Sequence, residues 1–247
     1  MSAQHSTTRG GSRPSRRLLL QVAAGLACVP WQSLSAQDML AGDDPDAGQW
    51  LPLRDDKRAP IQNLRVPSQL DPLALPGLLW FGPATPDVSL IEFMDYNCPV
   101  CRIAHRELDA LVRQTHELRL GLAHNPILAP GSNSAARVVL GVLRVAGPRT
   151  AYDLHGRLMS LRGMVDEARA LAQAQELGVT SEALNAPDVR ADVERALAAH
   201  LARANSIGLS ITPAYVLQGV ALFGHPGPES LARMIAAAKE CDALICK

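Results

Sequence analysis

Residues Ile91-Glu92-Phe93-Met94-Asp95-Tyr96-Asn97-Cys98-Pro99-Val100-Cys101-Arg102 constrain this chain most, because an apolar strand there runs straight into a Cys-x-x-Cys pair that opens a helix. Unpaired backbone N–H groups and the helix macrodipole favour negative charge at such a helix start, and the thiolate is the reactive form of cysteine. Cys98 is therefore the expected nucleophile. Pro99 falls at the first helical position, where proline loses no ladder hydrogen bond. Cys101 follows one turn later on the same face, within reach of a disulfide to Cys98. Structural zinc would need four ligands, and the chain has neither a second Cys-x-x-Cys nor a spaced histidine pair. The context points to redox chemistry.

The strand from about Val88 to Asp95 is apolar on both faces, as a central strand covered by helices should be. Glu92 interrupts it. A carboxylate inside that strand must be paired, neutralised or led to solvent at an edge, since burying its charge alone is prohibitive. Its expected role is a proton acceptor behind the cysteine pair, with a pKa raised by burial. Asp95 and Asn97 are expected to cap the following helix. Ile103, Ala104, Leu108, Leu111 and Val112 recur at helical spacing and carry that helix to about Gln114. Alternation of Leu118, Leu120 and Leu122 then gives a strand that ends at Asn125-Pro126.

From Ser132 to Ile207 the pattern is helical, with breaks at Gly147-Pro148, Gly163, Gly178 and Pro187. His105, one turn past Cys101, is expected to be partly exposed surface outside the site, and the helix histidines His155 and His200 have no partner at ligand spacing. Ala214 to Gln218 and Val220 to Phe223 read as a hairpin about Gly219, and Pro228 to Glu240 as a closing helix. Cys241 and Cys246 suit a local disulfide in an oxidising compartment, but two free thiols or a metal-binding tail fit the spacing as well.

Glu92-Phe93, Cys98-Pro99-Val100-Cys101, Ile211-Thr212-Pro213-Ala214 and the long helical segment between them resemble the DsbA-like branch of the thioredoxin superfamily, over roughly residues 77 to 240. The helical segment makes the resemblance DsbA-like, because a plain thioredoxin has about one helix there. The resemblance implies an α/β thioredoxin fold with an inserted helical domain at about 132–207. It also implies a periplasmic thiol:disulfide oxidoreductase with catalytic Cys98 and Cys101 forming a redox-active disulfide. Glu92 matches the family's buried acid, and Thr212 and Pro213 match a cis X–Pro dipeptide that borders the substrate groove. The implied partners are thiols and disulfides of exported proteins or peptides and a membrane redox partner; no cofactor is expected. Pro99-Val100 lacks the histidine of the family's strongest oxidants, so an isomerase or reductase remains an alternative. From the residues alone, a thioredoxin-like protein holding Cu(I) between paired thiolates is another.

Residues 1–36 read as a signal peptide: a basic, Ser- and Gly-rich start, an apolar run from Leu18 to Pro30, and small residues at Ser33, Ser35 and Ala36 that suit cleavage. Ser15-Arg16-Arg17 with Leu19-Leu20 resembles a twin-arginine signal, and a Sec signal fits equally. The run is too short to span a membrane. Gly25-Leu26-Ala27-Cys28 partly resembles a lipoprotein box, which makes lipid anchoring through Cys28 the lesser alternative. Residues 37–76 read as a Pro-rich N-terminal arm or linker, ahead of a thioredoxin-like domain over 77–247. At 247 residues, 47% hydrophobic and 19% charged, the chain suffices for one substantial core. Arg9, Arg13, Arg16 and Arg17 all lie before Gln37, where there is no acid, so the remainder holds 20 basic residues against 24 acidic. That balance carries no nucleic-acid footprint.

Overall fold

The computed structural model describes residues 51–246, and the expected signal peptide with Cys28 lies outside them. The strands are β1 (Asn63–Arg65), β2 (Leu79–Phe81), β3 (Val88–Met94), β4 (Leu118–His124), β5 (Ala214–Leu217) and β6 (Val220–Phe223). The helices are α1 (Pro99–Gln114), α2 (Pro130–Ser160), α3 (Glu167–Glu176), α4 (Ser181–Leu184), α5 (Pro187–Ile207) and α6 (Pro228–Cys241). One six-stranded sheet runs in the order β1-β6-β5-β3-β4-β2. Only β3 and β4 pair in parallel, joined by α1; the other pairs are antiparallel. All but one residue of β3 are buried, which fits a central strand apolar on both faces.

The two sheet faces have separate cores. Leu90, Met94, Leu118, Leu120 and Leu122 pack with Cys101, Ala104, Leu108 and Val112 of α1 and Leu231 and Met234 of α6. Ile91, Phe93, Ala123, Val216 and Ala221 pack with Ala204 and Ile207 of α5. α2 to α5 form the insertion between β4 and β5. It begins at Pro130, two residues before the sequence expectation; the breaks at Gly163 and Gly178 fall between helices, and Pro187 is the first residue of α5. Within α2, Gly147 takes φ 82°, a left-handed value that lets the chain kink before Pro148.

The described part of the arm is more than a connector. β1 adds a strand to the free edge of β6, with Asn63 opposite Leu222. Asn63 is fully buried, and its side chain bonds the Leu51 backbone N–H, the Leu51 carbonyl and the Ile61 carbonyl. Asp56 accepts from the backbone N–H groups of Glu229 and Ser230, so the arm supplies the side-chain cap that Gly227 cannot give α6. At the other end of α6, Cys241 and Cys246 are joined in a disulfide.

Candidate active site

Cys98 is the N-cap of α1, with an extended backbone and a sulfur that accepts from the Cys101 backbone N–H at 3.2 Å. The sulfur thus occupies the place that a serine or aspartate oxygen takes at most helix starts. Asp95 and Asn97, expected as caps, do other work. Asp95 accepts from Asn97 N–H, from Ser132 Oγ and from Leu128 N–H. Asn97 reaches the insertion, donating to Ser132 Oγ and the Val165 carbonyl and accepting from Val165 N–H. Both side chains stand before the first turn of α1, where the insertion offers more partners than the helix does. Arg102 completes a clamp by donating to the carbonyls of Tyr96, Leu161 and Gly163.

Cys98 and Cys101 are both free thiols and both buried. Their surroundings divide them. Hydrogen bonding from the Cys101 side chain outweighs burial at Cys98, and the Thr212 side chain and the Cys101 and Val100 backbones add to it, so the Cys98 thiol is lowered to about 6. Burial, the hydrogen bond to Cys98 and the charge of Glu92 push Cys101 far up. Such an arrangement can supply a nucleophilic thiolate at Cys98 backed by a protonated thiol at Cys101. With Cys98 and Cys101 reduced and the terminal Cys241–Cys246 disulfide left closed, the ultraviolet thiolate absorbance should therefore titrate with a midpoint near pH 6 that vanishes in Cys98→Ala; the absence of that midpoint would remove the assignment.

The Thr212–Pro213 bond is cis, and the Cys98 thiol donates to the Thr212 carbonyl at 3.2 Å. The sequence-expected substrate residues therefore meet the nucleophile across a separation of 114 residues. Glu92 lies on central β3, 1% exposed, and the edge position that would lead it to solvent does not exist. Burial, with the Cys98 charge second, raises its carboxyl to about 8, and its Oε1 has no hydrogen-bond partner. All five expected residues converge. Around them Val100, Ile103, Leu128, Met164 and Ile211 are exposed apolar side chains. Asn97, Pro99, Arg102, Ala129, Gly163 and Met164 line a cleft of about 410 Å³ beside the cysteines. Among the described residues, no group of three His, Cys, Asp or Glu side chains is arranged to hold a metal ion.

The profile of the DSBA-like thioredoxin domain matches residues 89–236, which span the cysteine pair, the insertion and Pro213. The chain belongs to the DSBA-like family. With it comes thiol:disulfide oxidoreductase activity on a thioredoxin fold with a helical insertion. A thioredoxin-like oxidoreductase from Silicibacter pomeroyi DSS-3 is 31% identical, over 67% of this chain and 94% of that one, with a TM-score of 0.59. The catalytic domain of Proteus mirabilis ScsC shares the fold at 23% identity and TM-score 0.61, over 68% and 92% of the two chains. A periplasmic thioredoxin-like protein from Salmonella enterica serovar Typhimurium does so at 21% identity and TM-score 0.63, over 71% and 99%. No curated protein matches the chain.

The buried histidines are connected through the active-site loop. Tyr96 Oη lies 3.3 Å from both His124 Nε2 and His155 Nδ1, and His155 Nε2 is 3.0 Å from His105 Nδ1. His200 accepts from the His124 backbone N–H and bonds the Pro76 carbonyl. His155 and His200, which have no partner at metal-ligand spacing in the sequence, are buried members of a belt that joins α2 and α5 to β4 and the active-site loop. Burial lowers His124 to about 3 and His200 to about 4, and holds His155 well below the usual imidazole value. The belt is neutral at ordinary pH. Its members lie 28 to 76 residues apart in sequence, so no local spacing announces them.

Proposed function

We propose that this DSBA-like oxidoreductase exchanges disulfides with exported proteins in the periplasm through Cys98 and Cys101, and that it acts mainly as an oxidant. The observation that carries the direction is the stabilised Cys98 thiolate. Whatever lowers the thiol pKa in the reduced protein favours the dithiol state, and so makes the disulfide a stronger oxidant. Relative to an ordinary thiol, a value of about 6 is worth roughly 1.4 kcal/mol at pH 7, or about 30 mV for a two-electron couple. The exposed apolar side chains around Cys98 suit unfolded polypeptide, which still displays its apolar residues.

In the oxidising direction a substrate thiolate attacks Cys98 of the disulfide, and Cys101 leaves and takes a proton from Glu92. A second substrate thiolate then attacks the substrate sulfur of the mixed disulfide, releasing oxidised substrate and the Cys98 thiolate. The expected signal peptide supports the periplasm, and no described helix is long and apolar enough to cross a membrane. A membrane redox partner would reoxidise the dithiol. Equilibration with glutathione buffers tests the direction: a potential of about −200 mV is expected, between thioredoxin and DsbA. A value at or below that of thioredoxin would make the chain a reductant.

A further inference from the structure

Glu92 creates a transport problem. When Cys101 resolves a mixed disulfide, its proton passes to the Glu92 carboxylate, its sulfur bonds to Cys98 Sγ, and the bond from Cys98 to the departing thiol breaks. The electron pair of that bond leaves on the departing thiolate, so the cysteine pair is oxidised and the mixed-disulfide partner reduced. Glu92 can take that proton only as the carboxylate, and burial keeps its carboxyl largely protonated at neutral pH, so a proton must reach solvent before resolution as well as after it. In the reverse direction a proton must come in. A carboxyl that is 1% exposed on a central strand cannot exchange it directly.

Beside it stands Tyr215, the residue opposite Glu92 in the β3–β5 register and itself fully buried. Directly opposed residues of an antiparallel pair hold their Cβ atoms about 4.5–5.5 Å apart on the same sheet face. Tyr215 Oη lies 2.8 Å from His225 Nδ1, and His225 Nε2 lies 2.6 Å from Glu107 Oε2. Exposure rises along the line, from none at Tyr215 to 8% at the His225 side chain and 32% at Glu107. Glu107 sits on α1, the helix that carries both cysteines, while His225 follows β6. A carboxylate on Nε2 favours the tautomer with its proton there, which leaves Nδ1 to accept from the tyrosine. One hydrogen bond would satisfy the Tyr215 hydroxyl; the second, from imidazole to a part-exposed carboxylate, extends the line to the surface.

We propose that Tyr215, His225 and Glu107 form a proton path between the sealed Glu92 compartment and solvent. Tyr215 is the inner gate, His225 the carrier and Glu107 the outlet. They act through Glu92 and touch neither sulfur's reaction partner, so their loss shows in the proton-coupled step alone. The inference rests on the exchange reading above, and one experiment separates the two.

Reduced protein mixed with oxidised glutathione is expected to form a mixed disulfide at Cys98 and then to resolve it. If none forms in the unsubstituted chain, the exchange reading falls and the path with it. Given that step, Glu107→Gln and His225→Ala are expected to keep mixed-disulfide formation within about twofold and to slow resolution by about tenfold. Glu107 is part-exposed, so its variant tests the path without threatening the fold. Added imidazole should restore resolution in His225→Ala in proportion to its basic fraction, which a purely structural histidine would not show. Unchanged resolution in both variants, equal slowing of both steps, or resolution that ignores imidazole would overturn the path.

Discussion

Cys98→Ala is expected to abolish disulfide exchange, with turnover falling by about a thousandfold or more, whereas Cys101→Ala should keep the first step and accumulate a mixed disulfide. The asymmetry follows from the two sulfurs' surroundings. With its thiol lowered to about 6, Cys98 is ~90% thiolate at pH 7, against a few per cent for a free cysteine. Cys101 is held protonated by burial and cannot start the reaction. The chain offers one other pair, Cys241 and Cys246, which close a disulfide at the end of α6. Mass spectrometry of each variant after reaction with oxidised glutathione locates the adduct. An adduct on Cys101 in Cys98→Ala, or exchange carried by the terminal pair, would refute the assignment.

Glu92→Gln should separate stability from activity. The carboxyl's pKa is raised in the folded chain to about 8 from an ordinary 4.5, so the folded state holds a proton that the unfolded state releases between those values. Its contribution to stability is full below pH 4.5 and is lost as pH rises through 8. The loss over that window is roughly 4 kcal/mol at pH 8, taking 1.36 kcal/mol per unit. Glutamine removes this loss but leaves a buried amide without partners, at a cost of about 2 kcal/mol. The variant is therefore expected to be more stable than the unsubstituted chain by about 2 kcal/mol at pH 8 and less stable at pH 4.5. Exchange should slow by about a hundredfold because the proton acceptor is gone. Urea unfolding at the two pH values, with exchange rates on the same samples, reads both effects; parallel stability profiles would mean that Glu92 titrates normally.

Local grammar made the reactive centre legible. Apolar residues on both faces of Val88–Met94 announce a covered strand, and Pro99 after Cys98 announces a helix start, so a buried carboxyl behind a cysteine pair at a helix start was legible in a dozen consecutive residues. The hairpin turns at Gly219 and the insertion breaks fall at Gly and Pro, whose backbone limits are local too. What escaped is long-range. β1 is three residues between Pro60 and Pro67, too few for their alternation to betray it, and it is a strand because β6 has a free edge. Asp95 and Asn97 carry capping chemistry, but their partners Ser132 and Val165 arrive from the insertion. The histidine belt and the Tyr215–His225–Glu107 line exist only once the fold has closed.

The clamp of Asp95, Asn97 and Arg102 bears on what happens when a client protein arrives. Because these side chains tie the active-site loop to the insertion through several hydrogen bonds, the two walls of the cleft are set before anything enters it. The enzyme then loses little conformational entropy on association, and the client bears nearly all of the ordering. A slack, unfolded segment can mould itself to a fixed die; a segment already packed in a native core must first be torn out of it. Under the proposed oxidising role, discrimination of this kind needs no sequence code, and it ends itself: once a new disulfide lets the client fold, the client's own core competes for the segment in the cleft.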